Sequence, residues 1–342
     1  MKFDVMTGGL SLTSMQSLAG EAEQLGYSGV VVTEGGRSAY LACAAAALAT
    51  DLDVLTGVAV AFPRSPMVTA TTAWELAEAS QGRFRLGLGT QVRAHVERRY
   101  SAEFEHPGPR LREYIAAIRA IFRGFRGEEK LAFEGDFYRF SLLPAMWSPG
   151  PIAVPDPPID IAAVNPWMLR MAGGHADGVH IHPLNTPTYL AETVMPSLRA
   201  GAEGAGRDLA DLDVIAPSFI VVGDSDQDRA GRRELARMQV AFYGSTPNYA
   251  FIFEQIGFEG TTERIRERQK AGDLPGMAQV INDDILEHFT VTGSWADIAE
   301  RITERYAGTA TRVVDYFSGF GYRPDRPLDP RWAEVTSRLG GG

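Results

Sequence analysis

Short runs of aliphatic and β-branched residues recur along the chain, and each is followed by a segment whose apolar positions repeat about every 3.6 residues. This change of period is typical of buried strands alternating with helices that bury one face. Such runs occur at 3–7, 29–33, 53–61, 84–88, 159–163, 178–182, 213–222 and 312–317. Because eight strand–helix units joined by right-handed crossovers fit this length, the pattern predicts an α/β fold, a closed (β/α)8 TIM barrel.

An open, doubly wound sheet is the alternative fold. Its dinucleotide-binding fingerprint, Gly-x-Gly-x-x-Gly, would follow the first strand, but residues 7–12 read Thr-Gly-Gly-Leu-Ser-Leu. The barrel is therefore the preferred interpretation. One helical stripe, which contains Ile115, Ile118 and Phe122, fits either the core or a subunit interface, and the sequence leaves that choice open.

A single barrel domain is predicted over residues 1–330, with two insertions longer than barrel loops require, at about 126–158 and 241–290. The first contains a hairpin pattern at 133–140 followed by a proline-rich run, and the second is rich in aromatic residues. Insertions of this kind serve as lids, pocket walls or subunit contacts. Residues 331–342, which end in three glycines, are expected to form a flexible tail.

Composition narrows the classes of function. The chain has 43 acidic and 33 basic residues, and its net charge of −10 disfavours nucleic acid as a partner. No apolar run approaches the roughly 20 residues that cross a bilayer, so no membrane association is expected. The single cysteine, Cys43, cannot form an internal disulfide, and a cytoplasmic location is the default expectation.

Function in a TIM barrel concentrates at the carboxyl ends of the strands. The strand ends here include Thr56-Gly57-Val58, Arg64-Ser65-Pro66, Gly89-Thr90-Gln91 and Ala162 to Pro166, in that order along the chain. Together these motifs resemble the bacterial luciferase-like monooxygenase family, over roughly residues 3–317. The run from Ala59 to Pro66, together with Gly89-Thr90-Gln91, His95 and residues 97–99, is similar to the branch of that family that uses the deazaflavin coenzyme F420.

The resemblance implies an oxidoreductase that transfers a hydride between coenzyme F420 and an unidentified organic substrate. One alternative is an FMN-dependent monooxygenase supplied with reduced flavin by a partner reductase. A second is a barrel that binds flavin without catalysis. The resemblance also implies a homodimer, and a flavin or F420 reductase is a further partner to consider.

Physical chemistry agrees with a cofactor at the barrel mouth. Small residues such as Gly57 and Gly89 would admit a flat ring, and Asn165-Pro166 reads as a helix start, where free amides and the positive dipole end attract a phosphate. By resemblance, the peptide bond between Gly57 and Val58 is expected to be cis. The residues predicted to bind the cofactor are Gly57, Val58, Arg64, Gly89, Thr90, Ala163, Val164, Asn165, Pro166 and His182.

Two residues are candidates for proton transfer. Relatives have an acidic residue at the position of Glu34, and His95 lies about one helical turn beyond Gly89-Thr90-Gln91. The sugar-phosphate dehydrogenases of the family have a histidine directly after the acidic residue, where this chain has Gly35, so their reaction is not predicted.

Alternation along the sixth strand places His180 and His182 on the same side. With Asp315 in the last strand, this pattern also occurs in metallohydrolase barrels. The further ligands that such a site needs near the first and fourth strands are not in the sequence. We therefore expect the histidines to line the cofactor or substrate pocket, and we predict no metal site.

Overall fold

The computed structural model describes residues 1–340. Its strands agree closely with the hydrophobic runs, and all eight predicted strands are present. The strands are β1 (Lys2–Thr7), β2 (Gly29–Val32), β3 (Asp53–Thr56), β4 (Ala59–Val60), β5 (Phe84–Gly89), β6 (Phe133–Glu134), β7 (Arg139–Phe140), β8 (Ile159–Ala163), β9 (Gly178–Ile181), β10 (Asp213–Val222), β11 (Thr290–Gly293) and β12 (Arg312–Asp315).

Parallel pairing closes the barrel in the order β1-β2-β3-β5-β8-β9-β10-β12, and β12 returns to pair with β1. The (β/α)8 prediction is therefore confirmed. Two short strands were not foreseen. The predicted strand at 53–61 is divided into β3 and β4, and β11 pairs with the last four residues of β10, Phe219 to Val222, beyond the region where β10 contacts β9 and β12.

Helices fill the intervals between the strands. They are α1 (Leu12–Gln24), α2 (Ala39–Ala47), α3 (Pro66–Ala79), α4 (Arg93–Arg98), α5 (Pro107–Arg126), α6 (Pro166–His175), α7 (Pro187–Tyr189), α8 (Met195–Gly204), α9 (Asp226–Gly244), α10 (Ala250–Glu254), α11 (Thr261–Lys270), α12 (Leu274–Gln279), α13 (Asp283–Phe289), α14 (Ile298–Tyr306) and α15 (Trp332–Gly340). Within residues 1–340, none of them is both long enough and apolar enough to span a membrane.

The apolar stripe of α5 could belong to the core or to a subunit interface, and the structure distinguishes these alternatives. Ile115, Ile118 and Phe122 are all at most 2% exposed, so they belong to the core and not to a surface. Trp74 of α3 packs on Phe122 with ring centroids 5.2 Å apart. This contact holds α5 against its neighbour and against the outside of the barrel.

The amino ends of the strands are joined by ion pairs inside the barrel. Arg312 of β12 donates to both oxygens of Asp4 at 2.7 and 2.8 Å, and also to Asp53 at 2.7 Å. Arg85 of β5 forms a second two-bond pair with Asp160 of β8. Buried carboxylates need such partners because burial penalises an uncompensated charge. These ion pairs fill the barrel interior at this end.

The insertions are ordered. The predicted hairpin at 133–140 is confirmed by antiparallel pairing of β6 with β7. The predicted second insertion at 241–290 begins within the last turn of α9, continues through α10 to α13, and ends at the first residue of β11.

The expectation of a flexible tail at 331–342 is wrong for residues 332–340, which form α15, while 341–342 lie outside the described residues. Trp332 is fully buried, and its ring lies 5.7 Å from that of Phe3 and 5.1 Å from that of Trp295. The physical reason is the spacing of Trp332, Val335 and Leu339, which gives the helix one apolar face to bury.

Candidate active site

The carboxyl ends of the barrel strands are less completely buried than their middles. Whereas Val54, Leu86 and Ile161 are fully buried, the residues beyond them at the mouth of the barrel keep an exposed surface. Partial exposure at several neighbouring strand ends is what a ligand cleft requires. The half-buried residues of this set are Gly57, Val58, Thr90, Ala162, Val164 and His182.

The bond between Gly57 and Val58 is cis, as the resemblance implied. At this point the chain leaves β3 and then resumes as β4, which pairs with the end of β5. Gly57 N–H donates to Val32 O at 2.8 Å, so the backbone of the segment remains attached to β2. The segment therefore lies between the ends of β2 and β5, and both of its residues are half-buried.

The glycines at this end allow close packing within the protein. A β-carbon at Gly87 would overlap the Thr56 carbonyl oxygen and lie 2.7 Å from His180 Nε2, and one at Gly89 would lie 2.7 Å from Val58 Cγ2. Distances under 3.0 Å force a neighbour to move. The space that the sequence analysis assigned to a ring is therefore partly used by His180 and by the 57–58 segment itself.

Glu34 and Arg64 form a two-bond ion pair at the end of β2. Arg64 donates from its two terminal nitrogens to the two carboxylate oxygens at 2.6 and 2.9 Å, and Val60 N–H donates to the same carboxylate at 2.8 Å. The Glu34 side chain is 4% exposed and that of Arg64 is 24% exposed. Through these contacts, Glu34 and Arg64, which are both predicted site residues, hold β4 and the adjoining cis segment in position.

The other predicted proton-transfer residue, His95, lies exposed on α4. Its helix is tied to the end of β2 because Arg99 donates to the carbonyl oxygen of Gly35. The hydrogen bonds to Glu34 come from Arg64 and Val60, so the structure does not join Glu34 to His95. Their catalytic assignment stays a prediction.

The helix α6 begins as the sequence predicts. Asn165 is the N-cap and its side chain accepts a hydrogen bond from Met168 N–H at 2.9 Å, while Leu169 N–H donates to Asn165 O. Pro166 has no N–H to donate. In this first turn the N–H of Trp167 is therefore the donor available to an anion. Tyr189 O–H donates to Val164 O at 2.6 Å and supports the segment from behind.

His180 lies in strand β9, and His182 directly follows that strand at the mouth. His180 is 5% exposed, lies beside Gly57 and Gly87, and its Nε2 has no hydrogen-bond partner among the described residues. Burial, with smaller contributions from Arg85 and Arg312, lowers the pKa of His180 to about 3. The ring is therefore neutral at physiological pH.

His182 lies two residues further along the chain, at the mouth. Its ring centroid is 4.7 Å from that of Tyr243 and 4.3 Å from that of Tyr249. Asp315, which the metallohydrolase pattern would need, instead accepts a hydrogen bond from Tyr27 O–H. Among residues 1–340, no group of three or more His, Cys, Asp or Glu side chains has the arrangement of a metal site.

Sequence reasoning did not find the tyrosines that surround His182. Tyr243 comes from α9 and Tyr316 follows β12, and their hydroxyl oxygens are 2.6 Å apart. Gln239 Nε2 donates to the Tyr316 oxygen at 2.9 Å. The aromatic content of the second insertion was the available signal, but it did not reveal which rings would meet at the mouth.

Comparison with known proteins identifies relatives over almost the whole chain. The model of the luciferase-like monooxygenase family matches residues 2–312. A protein of Mycobacterium tuberculosis described as uncharacterized is 37% identical over 296 residues, covering 86% of this chain and 87% of its own. The 5,10-methylenetetrahydromethanopterin reductase of Archaeoglobus fulgidus is 30% identical over 79% of this chain and 77% of its own.

Solved structures share the fold. The coenzyme F420-dependent tetrahydromethanopterin reductase of Methanopyrus kandleri superposes with a TM-score of 0.78 at 21% identity, covering 98% of this chain and 97% of its own. Flavin monooxygenases, one of them in complex with FMN, are also among the structures with this fold. The comparisons thus leave both cofactors open.

Proposed function

This chain belongs to the luciferase-like monooxygenase family, and from that membership we propose that it is an oxidoreductase that transfers a hydride between coenzyme F420 and an organic substrate. The observation that carries the proposal is the capped start of α6, which lies beside the half-buried residues Thr90 and Val164 that directly follow β5 and β8 and which suits an anion. A phosphate held there would place an attached ring system over the mouth of the barrel.

The relatives of known reaction support F420 over FMN. The curated relatives at 26–30% identity are reductases that act on methylenetetrahydromethanopterin, and the M. kandleri structure of that kind is described as dependent on coenzyme F420. This argument comes from similarity, so the choice of cofactor belongs to the proposal.

Charge on α4 gives a second, independent argument. Coenzyme F420 continues beyond its phosphate into an anionic tail, whereas FMN ends at the phosphate. Arg98 and Arg99 are exposed on and just after α4, and Arg99 contacts the Gly35 carbonyl at the mouth. Cations in that position suit an anionic tail.

A bound deazaflavin would supply the hydride chemistry. The protein's own residues would orient it: Trp167 N–H and the α6 dipole at the phosphate, Thr90 beside them, and the 57–58 main chain against the ring. The Glu34–Arg64 pair would keep that main chain in place. In this arrangement Glu34 serves to position the segment.

The test is a titration of the protein with coenzyme F420, FMN and the tail-less deazaflavin, followed by fluorescence and thermal stabilisation. We expect F420 to bind at least about tenfold more tightly than FMN, a difference of about 1.4 kcal/mol. The paired change Arg98→Ala, Arg99→Ala should weaken F420 and leave the tail-less compound unaffected. Arg93→Ala is the matched control, because Arg93 lies exposed on the same helix and pairs with Glu97.

The opposite preference, for FMN, would favour the monooxygenase supplied with reduced flavin by a partner reductase. Tight binding of F420 or FMN with no turnover of any reduced or oxidised coenzyme would favour the non-catalytic barrel. Binding of none of the three compounds would overturn the site assignment.

A further inference from the structure

The side of the mouth formed by β9, α9 and the end of β12 carries an uncharged hydrogen-bonding wall, which we define as His182, Tyr243, Tyr249 and Tyr316. His180 faces the interior beside Gly57 and Gly87. His182 directly follows β9, two residues nearer the mouth than His180, and its ring packs on Tyr243 and Tyr249. The wall therefore borders the cleft into which the 57–58 segment opens.

The hydrogen bond at one ring nitrogen fixes the proton on the other. His182 Nδ1 accepts a hydrogen bond from Leu184 N–H at 3.1 Å, so in a neutral ring the proton lies on Nε2. Burial between two tyrosine rings lowers the pKa of His182 to about 3, which keeps the ring neutral. No hydrogen bond within residues 1–340 uses Nε2, so this N–H is left for a ligand.

The tyrosines add donors without adding charge. Tyr243 and Tyr316 share a hydrogen bond of 2.6 Å, and Gln239 donates to Tyr316 at 2.9 Å. Burial raises the pKa of both phenols, so both remain protonated. Every side-chain hydrogen bond of the wall joins neutral groups, which would make a charged substrate group costly to bury there.

Resting on the proposed function, we propose that the substrate is an uncharged, planar carbonyl compound whose oxygen accepts a hydrogen bond from His182 Nε2–H. The aromatic rings of the wall would contact its flat face. The carbonyl carbon, or the far carbon of a conjugated enone, would receive a hydride, and with it two electrons, from a bound reduced deazaflavin, which would become oxidised. The π electron pair then moves onto the oxygen, where His182 stabilises the developing negative charge and water at the open mouth supplies the proton.

A neutral histidine suits this role. It donates a hydrogen bond without first having to lose a proton, and its donor strength stays constant across physiological pH. The arrangement disfavours a cationic substrate, which offers no acceptor lone pair to Nε2–H, and an anionic one, which finds no cation in the wall.

The test uses binding to the full chain with oxidised coenzyme F420 present, so that no turnover occurs. The probes are acetophenone, benzylideneacetone and menadione, with 4-carboxybenzylideneacetone as the charged counterpart of the second. We expect at least one uncharged probe to bind, benzylideneacetone at least about tenfold more tightly than its carboxylate. His182→Phe should weaken binding of the uncharged probe about tenfold, as expected for the removal of one hydrogen bond.

His182→Asn restores an N–H donor and should recover most of that affinity. His175→Phe is the matched control, because His175 is an exposed histidine at the last residue of α6 and is not part of the wall, so the affinity for the probe should not change. The second readout is the ¹⁵N chemical shift of His182 Nε2, identified by its loss in His182→Asn. It should move when the uncharged probe binds and not when the carboxylate is added.

The proposal would be overturned if none of the three uncharged probes binds. It would also be overturned if His182→Phe binds the probe as tightly as the unaltered protein, or if the ¹⁵N shift of His182 Nε2 does not change on binding. The affinity for F420 is measured in the same variants and should not change. If the unaltered protein does not bind F420, the proposed function fails by itself, and probe binding to the coenzyme-free protein still tests the wall.

Discussion

A variant that lacks the Arg64 guanidinium can distinguish two roles of this residue, a contact with the cofactor and an ion pair that positions the barrel mouth. The sequence suggested Arg64 as a contact for an anionic cofactor tail, whereas the structure pairs it with Glu34 through two hydrogen bonds. In Arg64→Met, the carboxylate would keep only the Val60 N–H donor while remaining almost fully buried. The variant therefore leaves an uncompensated charge inside the protein.

The size of the effect follows from burial. Breaking a fully buried ion pair costs about 3 to 5 kcal/mol, and Arg64 is 24% exposed, which lets water reach part of the guanidinium. Arg64 also lies over the Tyr40 ring at 5.0 Å, and the same variant removes this cation–π interaction. We expect a loss of about 2 to 4 kcal/mol, which for a domain of this size lowers the Tm by roughly 3 to 6 °C.

Thermal unfolding of the coenzyme-free protein, monitored by circular dichroism, measures this loss. Glu34→Gln should cost less, since the amide can still accept from Val60 N–H, and the double variant should cost less than the sum of the two single changes. Titration with F420 and the tail-less deazaflavin completes the assay, and both should weaken together. An unchanged Tm with weaker binding of F420 alone would refute the positioning role and show that Arg64 contacts the tail.

Three further predictions concern the frame of the barrel and its assembly. Leu41 on α2 and Leu48, the residue that ends this helix, are 59% and 72% exposed, and α2 has no charged residue, so we propose a homodimer through this face. The double variant Leu41→Glu, Leu48→Glu should be monomeric by light scattering, and a monomeric unaltered protein would refute the proposal. Trp332→Ala should destabilise the protein by about 3 to 5 kcal/mol in chemical denaturation, and a change below about 1 kcal/mol would contradict the docking of α15. Arg312 and Lys2 lower the pKa of Asp53, so the contribution of Asp53 to the stability of the fold is present above its unfolded-state pKa near 3.9 and is lost as the pH falls through its folded-state pKa. The difference in Tm between Asp53→Asn and the unaltered protein should therefore stay constant from pH 5 to 7 and disappear below about pH 4.

The barrel fold could be predicted from the sequence because local hydrophobic patterns indicate where strands form. The runs at 159–163 and 213–222 match β8 and β10 residue for residue. Asn165 and Pro166 specify a helix start through the chemistry of one cap and one missing N–H, and both act at the predicted position. Such features need only neighbours within a few residues.

Partners that are distant along the chain could not be read in this way. Glu34 and Arg64 are 30 residues apart, and Tyr243 and Tyr316 are 73 apart, so their pairing depends on how the closed barrel brings strand ends together. The tail was misjudged for a different reason. Its terminal glycines suggested disorder, while the spacing of Trp332, Val335 and Leu339 already indicated one apolar helical face.

The distribution of donors around the mouth explains why the absence of a histidine after Glu34 need not abolish catalysis. At the end of β2, Glu34 accepts three hydrogen bonds from the protein, and Gly35 contributes only a carbonyl that Arg99 contacts. The Glu34 carboxylate on that side is therefore already engaged by the protein. Across the cleft, His182 retains an N–H because Leu184 occupies its other nitrogen. A substrate between the two sides would therefore turn its oxygen towards β9, and the reaction would depend on the strand opposite the one that supplies the histidine in the sugar-phosphate dehydrogenases.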